Sequence, residues 1–179
     1  MKATGIVRRI DDLGRVVIPK EIRRTMRIRE GDPLEIFTDR EGEVIFKKYS
    51  PIGELASFAA QYVDTLHKIC SMSVVVTDRD TVIACAGVSK KEYNDKKLTP
   101  EFEALMEKRS LYTYSTQQIM ICDGASSYVK YAMPIISEGD IVGCIACVSS
   151  EQAPTIDPHS TEAKLIQTAS SFLGRQFES

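Results

Sequence analysis

The first 50 residues predict two β-hairpins and one short helix, and this small set of elements is what most limits how the chain can fold. In each hairpin, two short segments rich in β-branched and aromatic residues flank a turn of acidic residues and glycine. The segments are residues 6–10 and 15–18 around the turn 11–14, and residues 34–38 and 44–48 around the turn 39–42. Between the hairpins, Pro19 fits the first turn of a helix, and Ile22 and Met26 give that helix an apolar edge.

Two hairpins and one helical turn make a thin core, and a domain of this size usually needs a disulfide, a metal or a second chain. The five cysteines are an odd number and the opening residues carry no secretory signal, so reduced thiols in the cytoplasm are expected. No residues in this region have the spacing of metal ligands. The predicted solution is a homodimer that pools the hairpins of two chains.

Charge is divided unevenly along the chain. Residues 1–50 contain 12 Lys and Arg against 9 Asp and Glu, a net charge of +3, whereas residues 51–179 contain 11 against 16, a net charge of −5. Proline and glycine interrupt the sequence at residues 49–53, so we predict two domains, 1–50 and 51–179. A basic module on an acidic chain is typical of a protein that meets a polyanion at one end.

The basic residues of the first module indicate which polyanion this is. With a turn at residues 11–14, period-2 alternation places Arg8 and Arg15 on one face of the hairpin and Arg9 on the other. Like charges about 7 to 8 Å apart weaken a hairpin unless an anion such as phosphate binds them. The alternative is a solvated face whose arginines pair with nearby acids: Asp11, Asp12 and Glu21. More basic residues follow in the helix: Lys20, Arg23 and Arg24.

Residues 4–49 resemble the AbrB-type transition-state regulators, through the turn sequence LGRVVIPKEIRR and the later GDPLEI. The resemblance implies a swapped-hairpin β-barrel formed by two interleaved chains, and a surface for double-stranded DNA built from arginines of both. The DNA-contacting arginines of the family match Arg8, Arg15, Arg23 and Arg24, with Arg9 and Lys20 as weaker candidates. Toxin-neutralising antidotes that share this fold resemble the chain less closely. No recognition helix with base-reading Asn or Gln is visible, so phosphate contacts and degenerate target sites are expected.

The second module predicts an antiparallel sheet with helices on one face, an α+β domain. It opens with an amphipathic helix whose apolar residues recur every three or four positions: Leu55, Phe58, Ala59, Tyr62, Leu66 and Ile69. Strands are predicted at residues 72–77, 81–86, 112–115, 128–133 and 141–148. A helix starts after Thr99, and a closing helix carries Leu165, Ile166, Ala169, Phe172 and Leu173.

Two stretches of this module, SVVVTDRDTVIACAG and YAMPIISEGDIVGCIACVSS, resemble the GAF sensory domain. Joined to the first module, they make the chain similar to the stage V sporulation protein T type of regulator from endospore-forming bacteria. The resemblance implies a homotetramer in which GAF-like dimers hold two DNA-binding barrels, and an activator or repressor of developmental genes. The predicted fold class is α+β, with an N-terminal swapped-hairpin barrel and a C-terminal GAF-like domain. The predicted location is the cytoplasm, on the nucleoid and without a membrane partner.

The cysteines supply the alternative function. Some GAF domains are thiol-dependent methionine sulfoxide reductases, and Cys85 and Cys122 fall in segments suited to a pocket, with Cys122 expected to be the most exposed thiol. The alternative is therefore a ligand-sensing or reductase-like protein whose basic end serves mainly assembly. No residue is placed to lower a thiol pKa, and Cys144 and Cys147 fall on opposite faces of a strand. We therefore predict no enzyme, catalytic residue, metal site or cofactor, and leave open an unidentified small-molecule ligand bound near residues 87–127.

Overall fold

The structure is a computed structural model that describes residues 4–50, 56–151 and 156–176. Its contacts divide the chain into two compact units, Met1–Tyr49 and Ser50–Ser179. Leu55 of the predicted apolar stripe, and residues 51–53 of the predicted boundary, lie outside the described residues. Among the described helices, none combines the length and the apolar character that crossing a bilayer requires.

The first unit contains one short helix and one complete hairpin. Helix α1 spans Lys20–Thr25, and Pro19 is its N-cap rather than part of its first turn. Strands β1 (Leu34–Thr38) and β2 (Val44–Lys48) pair antiparallel, as predicted. Their register places Ile36 opposite Phe46, which gives the hairpin one apolar face.

The other predicted hairpin is present only as its turn. The Asp11 amide donates a hydrogen bond to the Arg15 carbonyl at 3.1 Å, but residues 6–10 and 15–18 are assigned no strand. The turn therefore joins Asp11, rather than Ile10, to Arg15, and the predicted register was wrong by one residue. A one-residue slip reverses the faces of a strand, so the argument that placed Arg8 and Arg15 on one face does not hold.

The exposure of their apolar side chains explains why residues 6–10 and 15–18 do not pair as strands. Val7 is 87% exposed and Val17 is 70% exposed, so neither segment has a packed face in the single chain. An isolated two-stranded ribbon of this kind is marginal in water unless another surface covers it. The first unit thus contains the sequence of two hairpins but completes only one of them.

The second unit is built around a five-stranded antiparallel sheet with the order β4-β3-β7-β6-β5. The strands are β3 (Val74–Thr77), β4 (Val82–Ala86), β5 (Tyr112–Thr113), β6 (Tyr128–Ser137) and β7 (Asp140–Ser149). The helices are α2 (Ala56–Cys70), α3 (Lys90–Tyr93), α4 (Pro100–Met106) and α5 (Thr161–Gln176). All five predicted strands are confirmed, although β5 is shorter and β6 longer than expected.

Helices cover both faces of this sheet, which corrects the prediction of helices on one face. On the first face, α2 and α5 pack against residues such as Val74 and Ile145. On the second face, Tyr93 of α3 and Phe102 of α4 pack against the opposite side chains of the strands, including Val75. Strand β3 is buried at each of its positions, and burial on both sides of a sheet requires two covering layers.

The apolar stripe of α2 differs from the predicted one at its end. Ala59, Val63 and Leu66 are buried, but Ile69 is 77% exposed and does not reach the core. Phe172, one of the apolar residues of the predicted closing helix α5, is 41% exposed. Helical periodicity places residues on a stripe, but only the neighbouring elements decide where that stripe stops being covered.

Candidate nucleic-acid interface

The basic residues predicted to bind DNA lie on both sides of the first turn and in α1. Arg23 is half-buried. The other side chains of this group are exposed: Arg8, Arg9, Arg15, Lys20 and Arg24. Within the described residues, Arg15 is the member of this group that makes an ion pair. The solvated-face alternative therefore applies to Arg15, which pairs with Asp11.

The Asp11 carboxylate organises the first turn. It accepts hydrogen bonds from the backbone amides of Leu13 at 3.0 Å and Arg15 at 2.8 Å, and from the Arg15 Nε at 2.8 Å. The backbone and side-chain hydrogen bonds from Arg15 hold the pKa of the Asp11 carboxyl below its usual value. Gly14 closes the turn at a φ of 76°, in the left-handed region that favours glycine. The position of the Arg15 side chain is thus set by the turn that precedes it.

Arg23 differs from the other arginines because its Nε is buried without a hydrogen-bond partner among the described residues. An unpaired buried donor is costly, and it is normally satisfied by a nearby acceptor. Arg23 also lies at the centre of α1, where its backbone amide donates to the Pro19 carbonyl at 2.9 Å. In a single chain, Arg23 is therefore the basic residue of this group that keeps a buried donor without an acceptor among the described residues.

The end of α1 is tied to the second hairpin by a polar group that the sequence reasoning missed. The Lys48 Nζ donates to the Arg27 carbonyl at 2.9 Å and lies 3.6 Å from Asp32 Oδ2. Asp32 also accepts the Arg29 amide at 2.8 Å, and its side chain is only 3% exposed. These contacts fix α1 on β2. The signal that could have revealed them is the acid in the turn sequence GDP.

The first unit also exposes most of its apolar side chains. In residues 4–49, Pro19 is the one residue classed as buried. The exposed large apolar side chains are Ile6, Val7, Ile10, Leu13, Val16, Val17, Met26, Ile36, Phe37, Val44, Phe46 and Tyr49. Scattered exposed apolar residues are ordinary, but a module in which most large apolar side chains are exposed and none is fully buried has no complete core of its own.

Four of the five thiols, all in the second unit, are buried. Cys85 and Cys122 are buried, and burial raises the pKa of both thiols. Cys122 was predicted to be the most exposed thiol, but it is fully buried and Cys70 is exposed instead. The Cys122 Sγ donates to the Glu92 carbonyl at 3.4 Å, beneath the short helix α3 that covers it.

The CxxC pair is placed as the strand geometry predicts. Cys147 belongs to the buried cluster under α2 and α5, whereas Cys144 belongs to the cluster on the other face of the sheet. Burial raises the pKa of Cys147 to about 12, and it raises that of Cys144 further. The described residues contain no group of three or more His, Cys, Asp or Glu that could hold a metal ion.

The face of the sheet suited to a ligand is packed with side chains from residues 87–127. Tyr93 is fully buried there, and its hydroxyl donates to the Ser127 carbonyl at 3.3 Å. Phe102 and Ile121, also fully buried, belong to the same cluster. No binding residue for a small molecule can be assigned from this packing.

These features define a class of protein: a small basic module with exposed arginines, followed by a larger α+β domain with its own core. Residues 54–178 match the family described as stage V sporulation protein T C-terminal, transcription factor. The chain belongs to this stage V sporulation protein T family. Residues 7–53 match a second family, described as antidote-toxin recognition MazE, bacterial antitoxin.

Individual relatives cover either the whole chain or one unit of it. Stage V sporulation protein T of Bacillus subtilis (strain 168) is 50% identical over 181 residues, 99% of this chain and 99% of that protein. The transition state regulatory protein AbrB of the same organism is 63% identical over 51 residues, 28% of this chain and 52% of that protein. A solved methyl-accepting chemotaxis protein fragment, residues 122 to 287, covers 69% of this chain and 88% of its own, with 14% identity and a TM-score of 0.52. That last likeness concerns the fold alone.

Proposed function

We propose that the chain is a DNA-binding transcriptional regulator of sporulation genes, in which two first units combine into one DNA-binding barrel. One observation carries this proposal: in residues 4–49 most large apolar side chains are exposed, together with all the candidate DNA-binding basic side chains except that of Arg23. An exposed apolar patch is stabilised when a second protein surface covers it, and a cluster of exposed arginines attracts a polyanion. The family membership supports DNA as that polyanion.

The second protein surface is a second copy of this chain. The unpaired segments 6–10 and 15–18 carry β-branched side chains that suit a sheet, and the apolar face of β1 and β2 lies open beside Ile36 and Phe46. If these two segments paired with the same segments of another copy, their backbone hydrogen bonds would be completed. The apolar side chains of the segments and the apolar face of β1 and β2 would then be buried. This pairing would also offer acceptors to the buried Nε of Arg23.

The DNA contacts are assigned to Arg8, Arg15, Arg23 and Arg24 of both chains, with smaller contributions from Arg9 and Lys20. Helix α1 has six residues, too few to fill a major groove along its length. Arginines on turns mostly grip phosphates and read a few guanines, and the rest of the preference comes from groove shape. Target sites are therefore degenerate, and the sign of regulation depends on where they lie relative to a promoter.

The second unit assembles the dimers into a homotetramer. Three aromatic rings form a patch on α2 and α5, with ring centroids 5.7 to 6.5 Å apart: the half-buried Phe58 and Tyr62 and the exposed Phe172. Phe172 is 41% exposed, whereas partial burial raises the pKa of the Tyr62 hydroxyl. A self-complementary aromatic patch on two helices suits an isologous contact between two copies. The resulting tetramer would carry two DNA-binding barrels, and it would act in the cytoplasm on chromosomal DNA.

The thiol-enzyme alternative is weaker. A nucleophilic cysteine needs a lowered pKa and access to substrate, but burial raises the pKa values of Cys85 and Cys122. The relatives of the chain are transcription factors, which favours a non-enzymatic role. A small-molecule ligand for the second unit stays an open part of the proposal, because the packed face near Tyr93 identifies no ligand chemistry.

The experiment is a gel-shift titration of the full chain with promoter-rich duplex DNA at several salt concentrations. Four arginines from each of two chains, if most engage phosphates, give a slope of log affinity against log salt of roughly −5 to −7. Arg8→Ala, Arg15→Ala, Arg23→Ala and Arg24→Ala should each weaken binding by about 1 to 3 kcal/mol. The matched control is Arg40→Ala in the turn of the second hairpin, which should have little effect. A slope near zero, or equal losses for Arg40→Ala and Arg15→Ala, would contradict the assignment.

A further inference from the structure

The two hairpin turns of the first unit have the same construction. In the first, the Asp11 carboxylate accepts the amides two and four residues ahead at 3.0 and 2.8 Å, and the Asp11 amide donates to the Arg15 carbonyl at 3.1 Å. In the second, the Asp39 carboxylate accepts the amides two and four residues ahead at 3.0 and 2.9 Å, and the Asp39 amide donates to the Glu43 carbonyl at 3.2 Å. An aspartate that caps its own turn in this way is an ordinary structural device. The backbone role of the two aspartates is therefore the same.

The two turns differ in the side chain that follows. Residue 15 is an arginine, and its Nε donates to Asp11 Oδ2 at 2.8 Å, whereas residue 43 is a glutamate that cannot donate to Asp39. Asp11 thus binds the side chain of the residue four positions ahead, and Asp39 does not. The turn alone does not require this contact, because the second turn forms without it.

The ion pair leaves the functional end of Arg15 open. Asp11 engages the Nε, and no other hydrogen bond or ion pair of the Arg15 side chain exists among the described residues. The two terminal nitrogens therefore keep their parallel N–H groups, the fork that binds a phosphate or the O6 and N7 atoms of guanine. The Arg15 side chain is 70% exposed, so this fork faces outward.

A surface ion pair of this kind contributes little to stability, and near DNA its carboxylate opposes the phosphates. An acid beside a DNA-contacting arginine therefore lowers affinity for DNA of any sequence. Beyond its backbone role in the turn, Asp11 can compensate for this lower affinity by restricting the arginine to one orientation, since a fixed fork distinguishes bases better than a mobile one.

We infer that Asp11 is a positioning residue for DNA recognition, which holds the Arg15 guanidinium so that its terminal nitrogens read guanine, and thereby trades general affinity for selectivity. The inference rests on the proposed DNA-binding function and adds to it the residue that sets selectivity at the first turn. Asp11 itself contacts no DNA in this account and acts through Arg15.

The test compares Asp11→Asn with wild type in the full chain, on two duplexes of equal base composition. One duplex is selected in vitro by the wild-type protein from a random pool, and the other is its scrambled version. An asparagine keeps one oxygen for the two turn amides, but its amide group cannot accept the Arg15 Nε. Affinity for the scrambled duplex should rise roughly two- to fivefold, because one negative charge is lost. The ratio of selected to scrambled affinity should fall about tenfold, because the fork is no longer fixed.

The matched control is Asp39→Asn, which removes the same charge from the same kind of turn without an arginine partner. It should leave the affinity ratio unchanged. A second control places Asp11→Asn on an Arg15→Ala background, where it should no longer change the ratio, because a positioning residue has nothing left to position. If Asp11→Asn leaves the ratio intact, or if Asp39→Asn lowers it equally, the inference is wrong.

Two further results keep the test decisive. If Asp11→Asn does not fold, Arg15→Lys is tested in its place, because lysine keeps the positive charge but lacks the planar fork. An unchanged ratio of selected to scrambled affinity for Arg15→Lys would overturn the inference. If wild type binds neither duplex, the proposed function fails. If wild type selects a duplex and the variants keep its ratio, only the role of Asp11 fails.

Discussion

The two units of this chain solve the problem of stability in different ways. The second unit covers a five-stranded sheet on both faces, with fully buried residues such as Ile145 on one side and Phe102 on the other. The first unit, in residues 4–49, buries Pro19 and leaves most of its strand residues exposed. The unit with the complete core is acidic, and the unit without one is basic. The second unit thus has the core of a domain that folds as a single chain, whereas the first unit, on the proposed function, is completed by a second copy.

Truncating a core side chain in each unit should give the largest contrast. Ile145→Ala removes a side chain that is 0% exposed, and it should cost about 2 to 5 kcal/mol in the free energy of unfolding of the second unit. That loss should not depend on protein concentration. Guanidinium unfolding followed by circular dichroism measures it.

The matched variant in the first unit is Ile36→Ala, at a residue that is 61% exposed in the single chain. Truncation of an exposed side chain usually changes stability by no more than about 0.5 kcal/mol. If a second copy covers this face, the loss should instead reach about 1 to 2 kcal/mol and should depend on protein concentration. A small loss that is independent of concentration would indicate that Ile36 stays exposed in solution.

Replacing the CxxC cysteines should have the smallest effect. Cys144→Ala and Cys147→Val should each destabilise the second unit by about 1 kcal/mol and leave DNA binding unchanged, because both thiols pack as small apolar groups. Burial holds the pKa of Cys147 near 12, so at pH 8 the thiolate is scarce and alkylation should modify Cys70 alone in the folded protein. Stoichiometric zinc that is lost together with Cys144 and Cys147 would contradict this account.

The sequence predicted the second unit better than the first, for a physical reason. The strands near Val75 and Ile145 lie in continuous apolar runs, and their turns are marked by acids and glycine, so local pattern and tertiary packing agree. Two features of this unit depended on neighbouring elements instead. The burial of Cys122 requires the cover of α3, and the exposure of Ile69 reflects where α2 leaves the sheet. The residues that flank Cys122 and Ile69 in the sequence do not predict which elements pack against them.

For the candidate site, the sequence predicted which residues are basic but not how they are arranged. The turn at Asp11 was placed one residue away from its actual register, because an acidic four-residue turn and a three-residue loop closed by an aspartate share the same composition. The pair between Asp11 and Arg15 was considered only as a solvated alternative, and the structure contains it. The buried Nε of Arg23 has no local sequence signal at all, since burial of that atom depends on how α1 sits on the rest of the unit.

The central claim is that the first unit is complete only when two chains combine, and the most direct test is the molar mass of residues 1–50 and of the full chain by light scattering at micromolar concentration. The account predicts a folded fragment with the mass of two chains and a full-length protein with the mass of four. Unfolding of the fragment should also shift to higher temperature as its concentration rises, because dissociation accompanies unfolding. A fragment that is folded and monomeric at micromolar concentration would contradict the account, since it would show that a single chain can cover the apolar side chains that this structure leaves exposed.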